Sequence, residues 1–287
     1  MADEIKVCSV PVLSDSGQAS DEFSLVGVSA FFWENGRTLQ VRFLDGVPEV
    51  QSKVEQIAHQ WSQFANIKFA FGSDPHAEIR ISFQREGSWS KLGRSALEVT
   101  DPNEPTMNFG WLRSDTPDDE YSRVVLHEFG HALGFAHEHK HPEAGIKWNR
   151  TAVIDYYRQT QGWDEEKTVR NVLHAESKDA TQFSKFDRDS IMLYAIPSQL
   201  TTDGFSVGWN TELSETDKQF VSEIYPFDSD RSSHLAATGV IYAVKPDGTL
   251  EWYRHKGWQD GSNDWAVDVK VIGSGWNSYT QIFSGGI

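Results

Sequence analysis

The 287-residue chain is poor in several things, and each shortage excludes something. It has one cysteine, Cys8, so no internal disulfide can form, and packing or a metal must hold the fold. Basic residues are scarce: 26 Lys and Arg stand against 42 Asp and Glu, a net charge of −16. That balance argues against a nucleic-acid backbone or an anionic membrane as main partner, and an acidic solvated surface accounts for it. No run of about 18 apolar residues is present, which excludes a spanning helix. The start, Met-Ala-Asp-Glu-Ile-Lys, lacks a basic region followed by an apolar stretch. The expectation is a chain without a secretory signal, cytoplasmic or exported by a leaderless route. Hydrophobic residues still make up 38% of the chain, enough for a buried core.

Residues 1–25 are polar and broken by Ser14, Ser16, Gly17 and Ser20, and read as a leader or pro-segment. Periodic text follows. Thr38–Phe43 alternates as a strand does, and Pro48 opens a helical stretch carrying Val50, Val54, Ile57, Ala58, Trp61, Phe64 and Ala65 on one face. Asn66 ends that stretch, and strands are expected at 67–71, 78–83 and, shorter, 106–109. A helix from Asp118 carries Val124, Val125, Leu126, Phe129 and Leu133 as far as Gly134. Helical hints recur at 150–159 and 214–225, where Pro226 closes the pattern. Residues 227–238 are a polar, Ser-rich linker. Composition then shifts: residues 239–287 hold four of the eleven tryptophans and no helical period, which marks a separate small β unit.

The strongest chemical signal is His127-Glu128-Phe129-Gly130-His131-Ala132-Leu133-Gly134-Phe135-Ala136-His137. On a helix, His127 and His131 sit one turn apart on one face, within reach of a single Zn²⁺. Glu128 projects beside the metal, where it can take a proton from a bound water without ligating. Gly134 supplies a residue free to take positive φ, so the chain can turn back and bring His137 in as third ligand. Three neutral nitrogens leave zinc an open position, which is the catalytic arrangement.

These eleven residues resemble the extended zinc motif of the metzincin metallopeptidases. Asp189-Ser190-Ile191-Met192-Leu193-Tyr194 looks like their Met-turn, and its Ser-x-Met-x-Tyr form, with Glu138 directly after His137, is similar to the astacin family. The likeness covers about residues 26–226, including Trp148-Asn149, Gly162-Trp163 and Leu213-Ser214-x-x-Asp217-Lys218. It implies an α+β catalytic domain of metzincin type: a twisted mixed sheet, an active-site helix and a Met-turn at Met192. It implies one zinc per chain and a zinc endopeptidase acting on proteins or peptides, with Glu128 as general base. Tyr194 occupies the place of the astacin tyrosine that ligates zinc and swings to stabilise the oxyanion; a core tyrosine packed on the turn is the other reading. Thr106–Phe109 resembles the edge strand along which metzincin substrates lie. Glu138 resembles the glutamate that contacts the mature N-terminus in astacins, or is a surface carboxylate. His139 and His141 read as solvated loop histidines, since three ligands already suit a catalytic zinc. Two departures stand out: the two disulfides common in animal astacins are absent, and Leu193 replaces a histidine common between Met and Tyr.

Lys6-Val7-Cys8-Ser9-Val10-Pro11 resembles the cysteine switch of matrix metalloproteinase pro-segments, in which a thiolate fills the zinc's open position; an ordinary free thiol is the other reading. Residues 239–287, with strand patterns around Pro246-Asp247-Gly248 and the pairs Gly257-Trp258 and Gly275-Trp276, resemble one blade of a tachylectin-type β-propeller. One blade cannot bury its own faces, so the expectations are a blade that mediates homo-oligomerisation, one that packs on the catalytic domain, or a truncated gene. A glycan ligand stays open. The opposing function class is a lectin-like carbohydrate-binding protein with an inactive metzincin domain.

Overall fold

The computed structural model describes residues 31–141, 144–174 and 186–227 in full, and residues 240–244, 249–255 and 265–273 with their backbone. Cys8, the leader and the Pro246-Asp247-Gly248 turn lie outside the described residues. The chain divides into two compact units, residues 1–226 and 227–287. No helix among the described residues is long and apolar enough to cross a membrane.

The first unit is built on a five-stranded sheet. Its strands are β1 (Thr38–Phe43), β2 (Lys68–Gly72), β3 (Ile79–Ser82), β4 (Ser88–Ser90) and β5 (Met107–Phe109), in the order β2-β1-β3-β5-β4. All neighbours are parallel except β4, which runs antiparallel to β5, so the sheet is mixed, as expected. Two helices, α1 (Pro48–Ala58) and α2 (Asp118–Ala132), pack together, with α2 also against β4 and β5. Leu39, Ile81, Met107 and Phe109 of the sheet, Val54 and Ala58 of α1, and Val124, Val125, Leu126 and Phe129 of α2 share one buried core.

Two expectations need correction. The helix opened by Pro48 stops at Ala58, and Trp61–Gln63 is a separate 3₁₀ turn. There the Trp61 indole N–H donates to the Leu126 carbonyl at 3.0 Å, a tertiary bond that no local pattern carries. Thr106–Phe109 is not the sheet edge either. Its strand lies between β3 and the three-residue Ser88–Ser90, and β4 is the outer strand. Ser-Trp-Ser is too short and too polar to show a strand period.

Beyond α2 the chain forms α3 (Arg150–Gln161), capped by Asn149 Oδ1 on the Ala152 N–H at 3.2 Å and ended by Gly162 at φ +66°. A short helix α4 (Glu165–Thr168) runs into a single π-turn, Val169–Leu173. The unit closes with α5 (Glu215–Ile224), which starts at a capping box formed by Ser214 and Asp217. In the second unit, β6 (Val240–Val244), β7 (Leu250–His255) and β8 (Trp265–Gly273) form an antiparallel sheet in sequence order.

Candidate metal centre

The helix α2 positions the site, and its two ends are finished differently. Asp118, Asp119 and Glu120 in the first turn complement the positive end of the helix dipole. At the other end, two side chains from distant parts of the unit satisfy the last carbonyls. The Trp33 indole N–H donates to Ala132 O at 2.7 Å, and the Tyr225 hydroxyl donates to Leu133 O at 2.6 Å. Gly134 then sits at φ +102°, and a Cβ there would fall 2.7 Å from Phe32 Cδ1. Glycine is demanded on both counts, and the chain reverses as the spacing predicts.

The reversal brings His137 to His127 and His131. One ligating atom from each of the three histidines lies within 4.8 Å of the others, and all three side chains are buried. The ring centroids are 4.7 Å apart for His127–His131 and 4.5 Å for His131–His137.

The second nitrogens show why these rings suit a metal. His127 Nδ1–H donates to Ile191 O at 2.8 Å, and His131 Nδ1–H donates to Phe135 O at 2.7 Å. Both bonds fix the tautomer that leaves Nε2 a bare lone pair. His127 Nε2 is buried without a hydrogen-bond partner among the described residues, and His131 Nε2 faces His137 Nε2 at 3.0 Å. Burial lowers the basicity of all three: His127 and His137 fall well below the ordinary imidazole value, and His131 falls to about 4. Neutral nitrogen donors converging in a dry pocket fit a zinc ion, which would satisfy all three lone pairs at once.

The remaining predicted residues surround this trio. Glu128, next to His127 on α2, is completely buried. Met192 lies beneath the helix, where a Cβ on Gly130 would overlap its Sδ. The turn is held there by its backbone: Met192 O accepts from the Glu138 N–H at 3.0 Å. Tyr194 is buried, its ring 4.2 Å from that of His137 and 5.8 Å from that of His127. Glu138 Oε1 accepts from the Asp187 N–H at 2.8 Å, and burial pushes its carboxyl up to about 8.

His139 and His141 are not solvated loop histidines; both are buried. His139 Nε2–H donates to Asn171 O at 2.9 Å in the π-turn, and its ring stacks on Tyr194 and His137. Burial lowers its basicity to about 3. The 169–173 turn packs on this loop, Tyr194 and Trp148 lie against His139, and Phe186 lies against His141, contacts from distant segments that the loop's own residues do not show.

Asp217 is a site residue that the motifs do not reveal. Its Oδ1 accepts from Ser190 Oγ–H at 2.7 Å, and its Oδ2 from the N–H groups of Ile191 at 2.8 Å and Ser214 at 3.0 Å. The Ser-x-x-Asp cap is legible in the sequence; its reach to the Met192 turn is not.

Comparison with known proteins agrees with this geometry. Residues 32–225 match the peptidase family described as astacin. The zinc metalloproteinase dpy-31 of Caenorhabditis elegans is 24% identical over 225 residues, covering 73% of this chain and 35% of that protein. Its namesake in Teladorsagia circumcincta is 24% identical over 227 residues, covering 73% and 34%. The chain thus spans about a third of the length of these curated relatives. Among solved structures, myroilysin is 46% identical with a TM-score of 0.68, covering 70% of this chain and 98% of its own. The hatching enzyme HCE-1, a zinc-protease of the medaka fish Oryzias latipes, shares the fold at 18% identity and a TM-score of 0.50, covering 69% and 95%. With the family match extending from residue 32 to residue 225 over the whole histidine site, the chain belongs to the astacin family of zinc metallopeptidases.

Proposed function

We propose that the protein is a zinc-dependent endopeptidase, with His127, His131 and His137 holding the metal. The observation that carries this is the convergence of three neutral, buried imidazoles, two with Nδ1–H bonded away, beside the buried Glu128 carboxylate. Zinc, when bound, supplies the Lewis acidity that activates water and polarises the scissile carbonyl. Glu128 takes the proton of the attacking water on a carboxylate oxygen and delivers it to the departing amine. Tyr194 donates its phenolic hydrogen to the oxygen that gains charge; its place over the faces of His137 and His127 supports that role. The outer strand β4 takes the substrate as an added extended strand, because its far edge is unpaired within the described sheet.

Glu128→Gln tests the reading. Cleavage of casein is expected to fall by about 10³-fold or more while zinc content stays at one per chain. A wild-type protein that binds zinc yet cleaves no peptide would instead favour the carbohydrate-binding class.

The antiparallel sheet β6–β8 supports a further proposal, that residues 239–287 form one propeller-like blade joining copies of the chain or holding a glycan. A strict monomer in solution, measured by light scattering, removes the joining role.

A further inference from the structure

Tyr194 is packed on three imidazoles, and only two of them belong to the metal trio. The third is His139: its ring centroid lies 4.7 Å from that of Tyr194 at 29°, closer to parallel than the 49° tilt of His137 on the same phenol. His139 also stacks on His137 at 5.2 Å and 20°, and meets Trp148 edge-on at 6.3 Å. A ring in the middle of such a stack is useful only if it does not turn. Its Nε2–H is bonded to Asn171 O at 2.9 Å, and the Asn171 side chain is tied to Lys167 O at 2.8 Å. The anchor sits in a π-turn, a distortion that places a carbonyl where a regular helix would not.

Nothing in the proposed chemistry requires a fourth imidazole here. His139 Nε2 is committed to Asn171, and its Nδ1 is buried with no hydrogen-bond partner among the described residues. A leucine or phenylalanine would fill this volume without stranding a nitrogen. What the imidazole adds is the Nε2–H bond to Asn171 that holds its flat face in one plane. We infer that His139 is a positioning residue for Tyr194: clamped by the Asn171 carbonyl, it is the platform that sets where the phenol rests before it meets the substrate oxygen. The inference rests on the reading of Tyr194 as the donor to that oxygen. It makes the segment 165–173, remote in sequence from the histidine motif, part of the device that aligns the reaction.

A double-mutant cycle tests it on the zinc-loaded full chain. His139→Ala is expected to lower kcat about tenfold through loss of alignment, with KM within about twofold of wild type. Zinc affinity in chelator competition, and binding of a phosphinic peptide in place of the tetrahedral state, give readouts apart from turnover. Zinc affinity should stay unchanged, while the phosphinic peptide should bind about tenfold more weakly. In a Tyr194→Phe background, the same His139→Ala change should cost less than about twofold in both kcat and phosphinic-peptide binding. His139→Phe, which refills the stack without the Asn171 bond, should recover part of the loss and serves if the alanine variant does not fold. An equal loss from His139→Ala in both backgrounds, or a parallel fall in zinc affinity, overturns the positioning role. Wild-type activity in Tyr194→Phe alone overturns the donor reading, and the present inference with it.

Discussion

Asp217 and His127 are coupled through one residue, Ile191: the carboxylate accepts its N–H at 2.8 Å, and its carbonyl accepts the imidazole Nδ1–H at 2.8 Å. A side chain on α5 therefore fixes the turn that fixes the tautomer of His127, one of the three histidines of the candidate zinc site. The network continues outward. Ser214 Oγ–H donates to Asp187 Oδ2 at 2.6 Å, and the Asp187 N–H donates to Glu138 at 2.8 Å. The segment after the third histidine and the turn beneath the first are thus joined through the start of one helix.

Asp217→Ala strands the buried Ile191 N–H and Ser190 hydroxyl and frees the half-buried Ser214 N–H. Each unsatisfied group costs about 1–3 kcal/mol, and with some relaxation the expected loss is about 2–4 kcal/mol in urea melts of the zinc-free protein. Loosening a zinc ligand's partner should also weaken zinc binding by about 10- to 100-fold in chelator competition. Unchanged zinc affinity would mean that the turn keeps His127 oriented without the carboxylate.

Protonation acts on stability from two sides. Unfolded histidines take up protons below about pH 6.5, whereas buried His127, His131 and His137 resist protonation, His131 down to about 4. The histidines' contribution to the stability of the zinc-free protein is therefore full above pH 6.5 and falls as the pH drops toward 4. Glu138 has the opposite sign: folded, it keeps its proton up to about pH 8, while the unfolded carboxyl releases it near 4.5. Its contribution is full below about pH 4.5, is lost progressively as the pH rises, and is gone by about pH 8. Urea midpoints measured across pH should show both limbs, and Glu138→Gln should flatten the alkaline one alone. An alkaline limb that persists in that variant would assign it to another group.

Much of this was legible in the sequence, and the reasons divide cleanly. The trio of histidines, Glu128 and the glycine exit lie within eleven consecutive residues, so helical geometry alone relates them. Met192 and Tyr194 are recognisable by resemblance, because their short pattern is distinctive. What stayed hidden depends on contacts between distant segments. Nothing local shows Trp61 pairing with Leu126, Asp217 reaching Ile191, or Asn171 capping His139. The strand β4 escaped for another reason, since three residues cannot display a period of two.

The reversal after α2 gives a clean comparison between two glycines with positive φ. Gly134, at φ +102°, has Phe32 Cδ1 only 2.7 Å from where a Cβ would stand, whereas Gly204, at φ +76°, has nothing within 4 Å. Gly204→Ala should cost about 1 kcal/mol, from backbone strain alone. Gly134→Ala adds a clash beside the zinc helix and should cost about 3 kcal/mol in urea melts. Because His137 follows the turn, this variant should also lose zinc more readily; equal effects at the two glycines would exclude the clash.

The outer strand makes a prediction with a period. Gly87 O accepts from the Gly110 N–H at 2.9 Å, and the Lys91 N–H donates to Thr106 O at 2.8 Å, so residues 87 and 91 bond inward to the strand β5 and its flanks. In an antiparallel ladder the bonding alternates, so Trp89 also faces inward and the backbone groups of Ser88 and Ser90 point outward. A peptide lying along that edge can bond only through every second residue of its own. Replacing single substrate amides by esters removes one N–H at a time without touching the enzyme. Each lost backbone bond is worth about 1 kcal/mol, so KM should rise about fivefold at alternate substrate positions and stay flat at those between. A uniform response along the peptide would show that it does not pair with Ser88–Ser90, and the substrate would then have to be held by side-chain contacts instead.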